Sequence, residues 1–127
     1  MKIIVIDPGE ANGLVAWEVG ESPMFLMESN SSDMYDFLIE NKADIVVVED
    51  SAQLGDAEQL IRVGLLLQWL RRNSECEVVR ITPGEWKPIA KARNWKVNSI
   101  SKHTKDAYNI LRYYLLSQEK IDIGDKE

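Results

Sequence analysis

Two short runs of the sequence are apolar at every position, and acidic residues follow both of them. Ile3–Ile6 is followed by Asp7, and Ile45–Val48 is followed by Glu49 and Asp50. A run without polar positions is typical of a parallel strand that is buried on both faces of its sheet. Neighbouring parallel strands end at the same edge of the sheet, so we expect the carboxylates of Asp7 and Glu49 to converge there.

The pattern along the chain predicts an α/β fold in the order strand-strand-strand-helix-strand-helix-strand-helix. A right-handed crossover helix, beginning near Ser31, places the fourth strand beside the first. The result is a five-stranded mixed sheet in the order 3-2-1-4-5, flanked by helices, and we expect residues 1–127 to form one domain. The predicted strands are Lys2 to Asp7, Gly13 to Val19, Met24 to Glu28, Asp44 to Glu49 and Cys76 to Ile81.

Three segments carry the remaining helical or irregular structure. Gly55 to Arg72 predicts the longest amphipathic helix, and Ser101 to Leu116 predicts a terminal helix. Between them, Thr82 to Trp86 predicts a short helical or irregular piece that leads into a basic loop. The side chains of the long helix that we expect to pack inward are Leu60, Ile61, Leu65, Leu67 and Leu70.

His103 and Asp106 lie three residues apart at the start of the terminal helix, and hence on one face. They continue an apolar stripe of Ala107, Ile110, Leu111 and Tyr114, so they are expected to face the sheet. Asp7, Glu49 and Asp106 then form a set of oxygen donors suited to Mg²⁺ or Mn²⁺. Such ions support hydrolysis of a nucleic-acid backbone. His103 can serve there as a metal ligand, a proton shuttle or a phosphate contact, or be structural only.

The charge of the chain is unevenly distributed. The net charge is −6, yet the segment from Arg80 to Lys105 has seven basic residues against the single Glu85, a local balance of +6. A cationic face for nucleic acid and a solvated lysine-rich loop both fit this pattern. Trp86 and Trp95 interleave with the cations and are candidates to stack on unpaired bases; for Trp86 the alternative is packing beneath the loop. The candidate phosphate contacts are Lys87, Lys91, Arg93, Lys96, Lys102 and Lys105.

Composition excludes several other classes of protein. Cys76 is the only cysteine, which rules out an internal disulfide and argues against a thiolate metal site. No apolar run approaches the roughly 20 residues that span a membrane, and we expect no membrane partner. The N-terminal region lacks the pattern of a secretory leader, so we expect a cytoplasmic protein.

The motifs together resemble the RuvC-type Holliday junction resolvases of the ribonuclease H-like superfamily, and small bacteriophage members most of all. The turn Ile6-Asp7-Pro8-Gly9 followed by Gly13 is moderately specific by itself. The resemblance spans nearly the whole chain, and it is strong when the motifs are taken in order. The other matching positions are Val48-Glu49, Gly64, Thr82-Pro83, Lys87, His103 and Asp106-Ala107.

The resemblance implies a ribonuclease H-like fold and a Mg²⁺- or Mn²⁺-dependent endonuclease acting on branched DNA. It implies a bacterial or phage-infected cell, a homodimer and no nucleotide cofactor. Asp7, Glu49 and Asp106 would be the catalytic metal ligands, with His103 where bacterial enzymes usually carry another aspartate.

Three other functions share some of these features. An inert ribonuclease H-like domain that binds nucleic acid or a partner would be expected to lose acids at the site. A nuclease for RNA-DNA hybrids would share the fold and the metals. The turn Asp7-Pro8-Gly9 to Gly13 also resembles the phosphate loop of actin-like sugar kinases, but those proteins need two such domains.

Overall fold

The computed structural model describes residues 1–21, 24–51, 56–98 and 101–126. Within them, five strands form one mixed sheet in the order β3-β2-β1-β4-β5, which confirms the predicted fold class and strand order. The predicted limits are correct or differ by one residue. The strands are β1 (Lys2–Asp7), β2 (Asn12–Glu18), β3 (Phe25–Ser29), β4 (Ile45–Glu49) and β5 (Glu77–Ile81).

The central pair of strands, β1 and β4, sets the geometry of the sheet edge. They run parallel, with Ile3 paired with Ile45 and Ile6 paired with Val48. Asp7 and Glu49 each follow the last of these pairs by one position, so the two acids end adjacent strands at the same level. Strand β2 pairs antiparallel with β1, and β5 continues the parallel arrangement beside β4.

Four helices cover both faces of the sheet: α1 (Ser31–Glu40), α2 (Ala57–Asn73), α3 (Pro83–Ala92) and α4 (Lys102–Gln118). Alternate residues of the central strands pack into two cores. Ile3 and Val5 face the buried stripe of α4, which contains the predicted Ala107, Ile110, Leu111 and Tyr114. Ile4 and Ile6 face α1 and α2 on the other side. No helix in the described parts of the chain is long and apolar enough to cross a membrane.

The predicted inner face of α2 is wrong in part. Leu67 and Leu70 are buried as predicted, but Leu60, Ile61 and Leu65 are 57%, 57% and 56% exposed. The buried face is formed instead by Val63, Leu66, Leu67 and Leu70. Both sets follow helical spacing, so α2 has two apolar faces, and only one of them meets the sheet. Gly55, the predicted first residue, lies outside the described residues.

The segment after β5 is a regular helix as far as Ala92, whereas the sequence predicted a short helical or irregular piece through Trp86 followed by a basic loop. Helix α3 extends from Pro83 to Ala92 and includes Pro88, whose ring would normally predict an interruption. Its first turn is stabilised by Glu85, which accepts a hydrogen bond from the backbone N–H of Thr82 at 3.1 Å. The buried Trp86 then anchors the helix to the core. Lys87 and Lys91 therefore project from a helix.

The residues after α4 fold back against the α3–α4 connection. Arg112 of α4 is buried and binds Asp122 and Asp125, each at 2.7 Å. The tail also pairs with the connection, since Lys126 N–H donates to the carbonyl of Lys96 at 2.9 Å. The guanidinium of Arg112 lies 4.4 Å from the ring centre of Trp95. These contacts fix the segment that carries Lys96.

The N-terminus of α4 approaches β2 very closely at Gly13. A Cβ atom at this position would lie 2.1 Å from the carbonyl oxygen of His103, far inside van der Waals contact. Only glycine therefore fits between β2 and the start of α4. The close approach brings His103 to the edge where β1 ends.

We predict that Gly13→Ala destabilises the protein by about 1–3 kcal/mol, because backbone must move to admit the methyl group. Chemical denaturation followed by circular dichroism measures the change. Gly84→Ala is the matched control, since its Cβ would make one ordinary contact at 3.9 Å. Equal stability of the Gly13→Ala variant and the wild type would contradict the close packing of α4 on β2.

Candidate active site

Two buried carboxyl groups meet at the end of the central strands. Asp7 and Glu49 are both 5% exposed, and their side chains are close enough for Glu49 to act directly on Asp7. Two ionised carboxylates this close repel each other, which favours a proton on Asp7. The parallel register of β1 and β4 produces this contact, as the sequence predicted from the endings of the two runs.

Helix α4 brings two further groups to the same edge. Nδ1 of His103 lies 3.4 Å from Oδ2 of Asp7. Asp106 is partly buried one turn later, and its charge acts on both Glu49 and Asp7. The serine before the helix, Ser101, accepts a hydrogen bond from the N–H of Thr104 and fixes the first turn. All four predicted site residues therefore lie in one neighbourhood.

Burial at this site disfavours the ionised form of the carboxyl groups. Burial, reinforced by the charge of Glu49, raises the pKa of Asp7 to about 9. The pKa of Asp106 is also raised, again chiefly by burial and then by Glu49. Lys87 of α3 opposes both shifts, because its positive charge favours the ionised carboxylates. A cation at this site would offset the repulsion and favour the ionised carboxylates.

Glu49 has a second partner that the sequence did not identify. The indole N–H of Trp86 donates a hydrogen bond to Oε2 of Glu49, and Trp86 is 3% exposed. The interpretation that Trp86 packs beneath the basic segment is therefore confirmed, and stacking of Trp86 on bases is excluded by its burial. The alternation of Trp86 with lysines predicted either possibility, but no sequence signal indicated its contact with Glu49.

Two amides hold the loops around the site. Asn12 accepts a hydrogen bond from the N–H of Gly9 at 3.1 Å, which closes the turn after β1. Gln59 of α2 donates to the carbonyl of Pro8 at 2.8 Å and to the hydroxyl of Ser51 at 2.7 Å. Gln59 thus connects α2 to the residues that follow both acid-bearing strands. Neither amide stands out in the sequence, because lone Asn and Gln residues have no distinctive spacing.

The donor chemistry of the site fits a hard divalent cation. Three carboxyl groups and one imidazole face the same edge, and oxygen-rich sets of this kind accept Mg²⁺ or Mn²⁺. With the side chains as they stand, however, no three acidic, histidine or cysteine residues of the described chain are arranged to hold an ion. The donor types, rather than the present arrangement of the side chains, therefore carry the fit to such an ion.

The six candidate phosphate contacts lie on α3, on the connection after it and on the first turn of α4. Five of them are exposed, and Lys105 is half-buried. Lys87 and Lys102 are near enough to the acids to act on Asp106. Trp95, by contrast, is half-buried beside Arg112 and is not a free stacking surface.

The fold and the acidic edge define the chain as an α/β protein with the ribonuclease H-like strand order. A comparison with solved structures finds RuvC of T. thermophilus, determined in complex with Holliday junction substrate. The two chains are 17% identical and superpose with a TM-score of 0.60, over 93% of this chain and 97% of that one. The fold is therefore RuvC-like. No protein-family model and no curated protein sequence matches the chain.

The raised pKa of Asp7 predicts a specific pH dependence of stability. Below about pH 4, both the folded and the unfolded protein carry the Asp7 proton. As the pH rises towards 9, the unfolded state releases the proton while the folded state retains it, so the stability falls. We expect Asp7→Asn to remove this loss and to be more stable than the wild type at pH 8 by about 1–3 kcal/mol in EDTA.

Urea unfolding from pH 5 to pH 9 tests this expectation. Glu10→Gln is the matched control, because Glu10 is exposed and lies just beyond the turn. The control is expected to keep the slope of the wild type. Parallel stability profiles for the wild type and Asp7→Asn would contradict a protonated Asp7 in the folded state.

Proposed function

We propose that this chain is a divalent-metal-dependent endonuclease that hydrolyses phosphodiesters in branched DNA, as a Holliday junction resolvase does. The observation that carries the proposal is the buried contact of Asp7 with Glu49, faced by Asp106 and His103 of α4. Two carboxyl groups buried side by side cost stability as the pH rises, as the raised pKa of Asp7 indicates. Their retention at a strand edge, on a RuvC-like fold, supports a catalytic role.

Asp7, Glu49, Asp106 and His103 would hold the Mg²⁺ or Mn²⁺. Such ions supply an activated water and stabilise the leaving oxygen of an in-line displacement. The protein contributes the arrangement of the ligands: the strand pair fixes two of them, and α4 fixes the other two. Lys87 lies close enough to Asp7 and Asp106 to moderate their repulsion, and its charge also suits the scissile phosphate.

The DNA would approach across α3 and the start of α4. Lys87, Lys91, Arg93, Lys96 and Lys102 are exposed on this surface, and the same segment carries +6 in a chain of −6. Contacts of lysine and arginine with phosphates position a duplex without reading its sequence. The negative charge on the rest of the protein disfavours other orientations of the DNA. The basic surface therefore directs the backbone towards the acids.

The first test is cleavage of a labelled four-way junction, a flap, a linear duplex and an RNA-DNA hybrid in Mg²⁺ or Mn²⁺. We expect branched DNA to be cut in preference to the other substrates. Asp7→Asn is expected to lower the rate by about 100-fold or more, since it removes a group that holds charge at the reacting centre. Glu10→Gln is the matched control and is expected to cut at the rate of the wild type.

Each alternative has a distinct outcome in that experiment. Preferential cutting of the hybrid would replace the resolvase proposal with a nuclease for RNA-DNA hybrids. Binding of the junction without cutting of any substrate would favour an inert binding domain. Cutting that Asp7→Asn retains would show that another site or a contaminant is responsible.

We also propose that the chain forms a symmetric dimer through α2. The α2 stripe, defined as Leu60, Ile61 and Leu65, exposes three large apolar side chains on one face of the helix. Gly64 lies within this stripe, and a Cβ added to it would meet nothing within 4 Å, so a second helix can approach closely. A two-fold contact of the stripe with its own copy buries all three side chains on both partners. Two active sites would then serve the paired strands of a junction.

Replacement of Leu65 by lysine tests the dimer. We expect the wild type to sediment as a dimer at micromolar concentration and Leu65→Lys as a monomer, because the lysine places a charge in the apolar contact. Ile39→Lys on α1 is the matched control, since Ile39 is 62% exposed outside the α2 stripe. A wild type that is monomeric throughout the micromolar range would overturn this interface.

A further inference from the structure

The catalytic carboxylate proposed at Glu49 is held by a tryptophan from a different element. Helix α3 begins two residues after β5 ends, and the bond between Glu85 and the N–H of Thr82 fixes its first turn. Trp86 is thereby directed into the core, where it is 3% exposed and belongs to the same buried cluster as Ile81 and Val97. From this buried position its indole N–H reaches Oε2 of Glu49.

The chemistry of this contact is unusual for a buried acid. A glutamate side chain has three rotatable bonds, so a fixed donor is needed to keep its carboxylate in one orientation. Arginine or lysine would orient Glu49 but would also neutralise it and compete with a cation. An indole N–H donates one hydrogen bond and carries no charge. It therefore orients the carboxylate and leaves its negative charge available.

We propose that Trp86 is a positioning residue that holds Glu49 in the orientation required for divalent-metal binding. This inference rests on the proposed function, in which Glu49 is a metal ligand. The Nζ of Lys87 lies 5.7 Å from the centre of the Trp86 ring, so the two neighbouring residues are in contact as well. Helix α3 thus places one neutral and one cationic group near the acids. The neutral indole of Trp86 orients Glu49, and the positive charge of Lys87 acts on Asp7 and Asp106.

A substitution that removes the N–H and keeps the ring tests the proposal. We expect Trp86→Phe to fold and to bind Mn²⁺ about 10-fold more weakly, the usual cost of losing a partner that orients a metal ligand. Titration of free Mn²⁺ by electron paramagnetic resonance measures the affinity without any cleavage. In cleavage assays we expect the Mn²⁺ concentration for half-maximal rate to rise by the same factor, with most of the rate recovered at saturation.

Trp17→Phe is the matched control. The indole of Trp17 donates to the carbonyl of Glu21 at 2.7 Å, outside the site, so its loss should leave Mn²⁺ affinity unchanged. If Trp86→Phe does not fold, site-specific incorporation of benzothienylalanine at position 86 replaces the N–H by sulfur in a ring of nearly the same shape. The same 10-fold weakening is expected for that variant.

A measurement without metal separates this inference from the proposed function. In EDTA, the Trp86 indole proton is expected at low field in the proton NMR spectrum and to move upfield in Glu49→Gln, while Trp17 stays unchanged. Unaltered Mn²⁺ affinity in folded Trp86→Phe would overturn the inference alone. A wild type that binds no Mn²⁺ would overturn both. A wild type that binds Mn²⁺ but cuts no nucleic acid would overturn the proposed function, and weakened Mn²⁺ binding by Trp86→Phe would still support the positioning role.

Discussion

The in-register pairing of β1 with β4 is the interaction on which the rest of this molecule depends. Its backbone hydrogen bonds join two strands whose side chains are buried on both faces. Because Ile6 is paired with Val48, the residues that follow them, Asp7 and Glu49, are held next to each other. A shift of one residue in this register would turn every side chain of one strand to the opposite face and would part Asp7 from Glu49. The two cores and the acidic edge are consequences of a single alignment.

The buried acids at the end of the central strands have polar or charged partners from α3 and α4. Asp7 faces the imidazole of His103, Glu49 accepts from Trp86, and Lys87 provides positive charge nearby. None of these three contacts is a strong buried ion pair that would neutralise a carboxylate. The neighbouring Asp50 differs in this respect, because Arg80 binds it through two nitrogens. Two adjacent acids at the end of β4 therefore have different partners: Asp50 binds the guanidinium of Arg80, and Glu49 binds the neutral indole of Trp86.

The sequence predicted those features that depend on short-range patterns. Local spacing predicts the fully apolar strands, the acids that end them and the buried stripe of α4. The order of strands and helices, with a right-handed crossover, then predicts the order of the sheet. The inner face of α2 was not predictable in this way, because Leu60, Ile61 and Leu65 repeat with helical spacing as well as the buried residues do. Helix α3 was obscured by Pro88, whose local effect is outweighed by the burial of Trp86. The hydrogen bond of Trp86 with Glu49 joins residues 37 positions apart, and that of Gln59 with Pro8 joins residues 51 positions apart. Local sequence patterns do not predict contacts over such distances along the chain.

The order in which the site residues occur along the chain also has a consequence for synthesis. The strands that carry Asp7 and Glu49 can pair once the first half of the protein has left the ribosome, but His103 and Asp106 come much later. Helix α4 closes one of the two cores, and its Arg112 holds the residues that follow it. The acidic cluster therefore becomes complete only after α4 has been synthesised and has packed on the sheet. The four side chains of the cluster are thus brought together late in folding, by the packing of one helix.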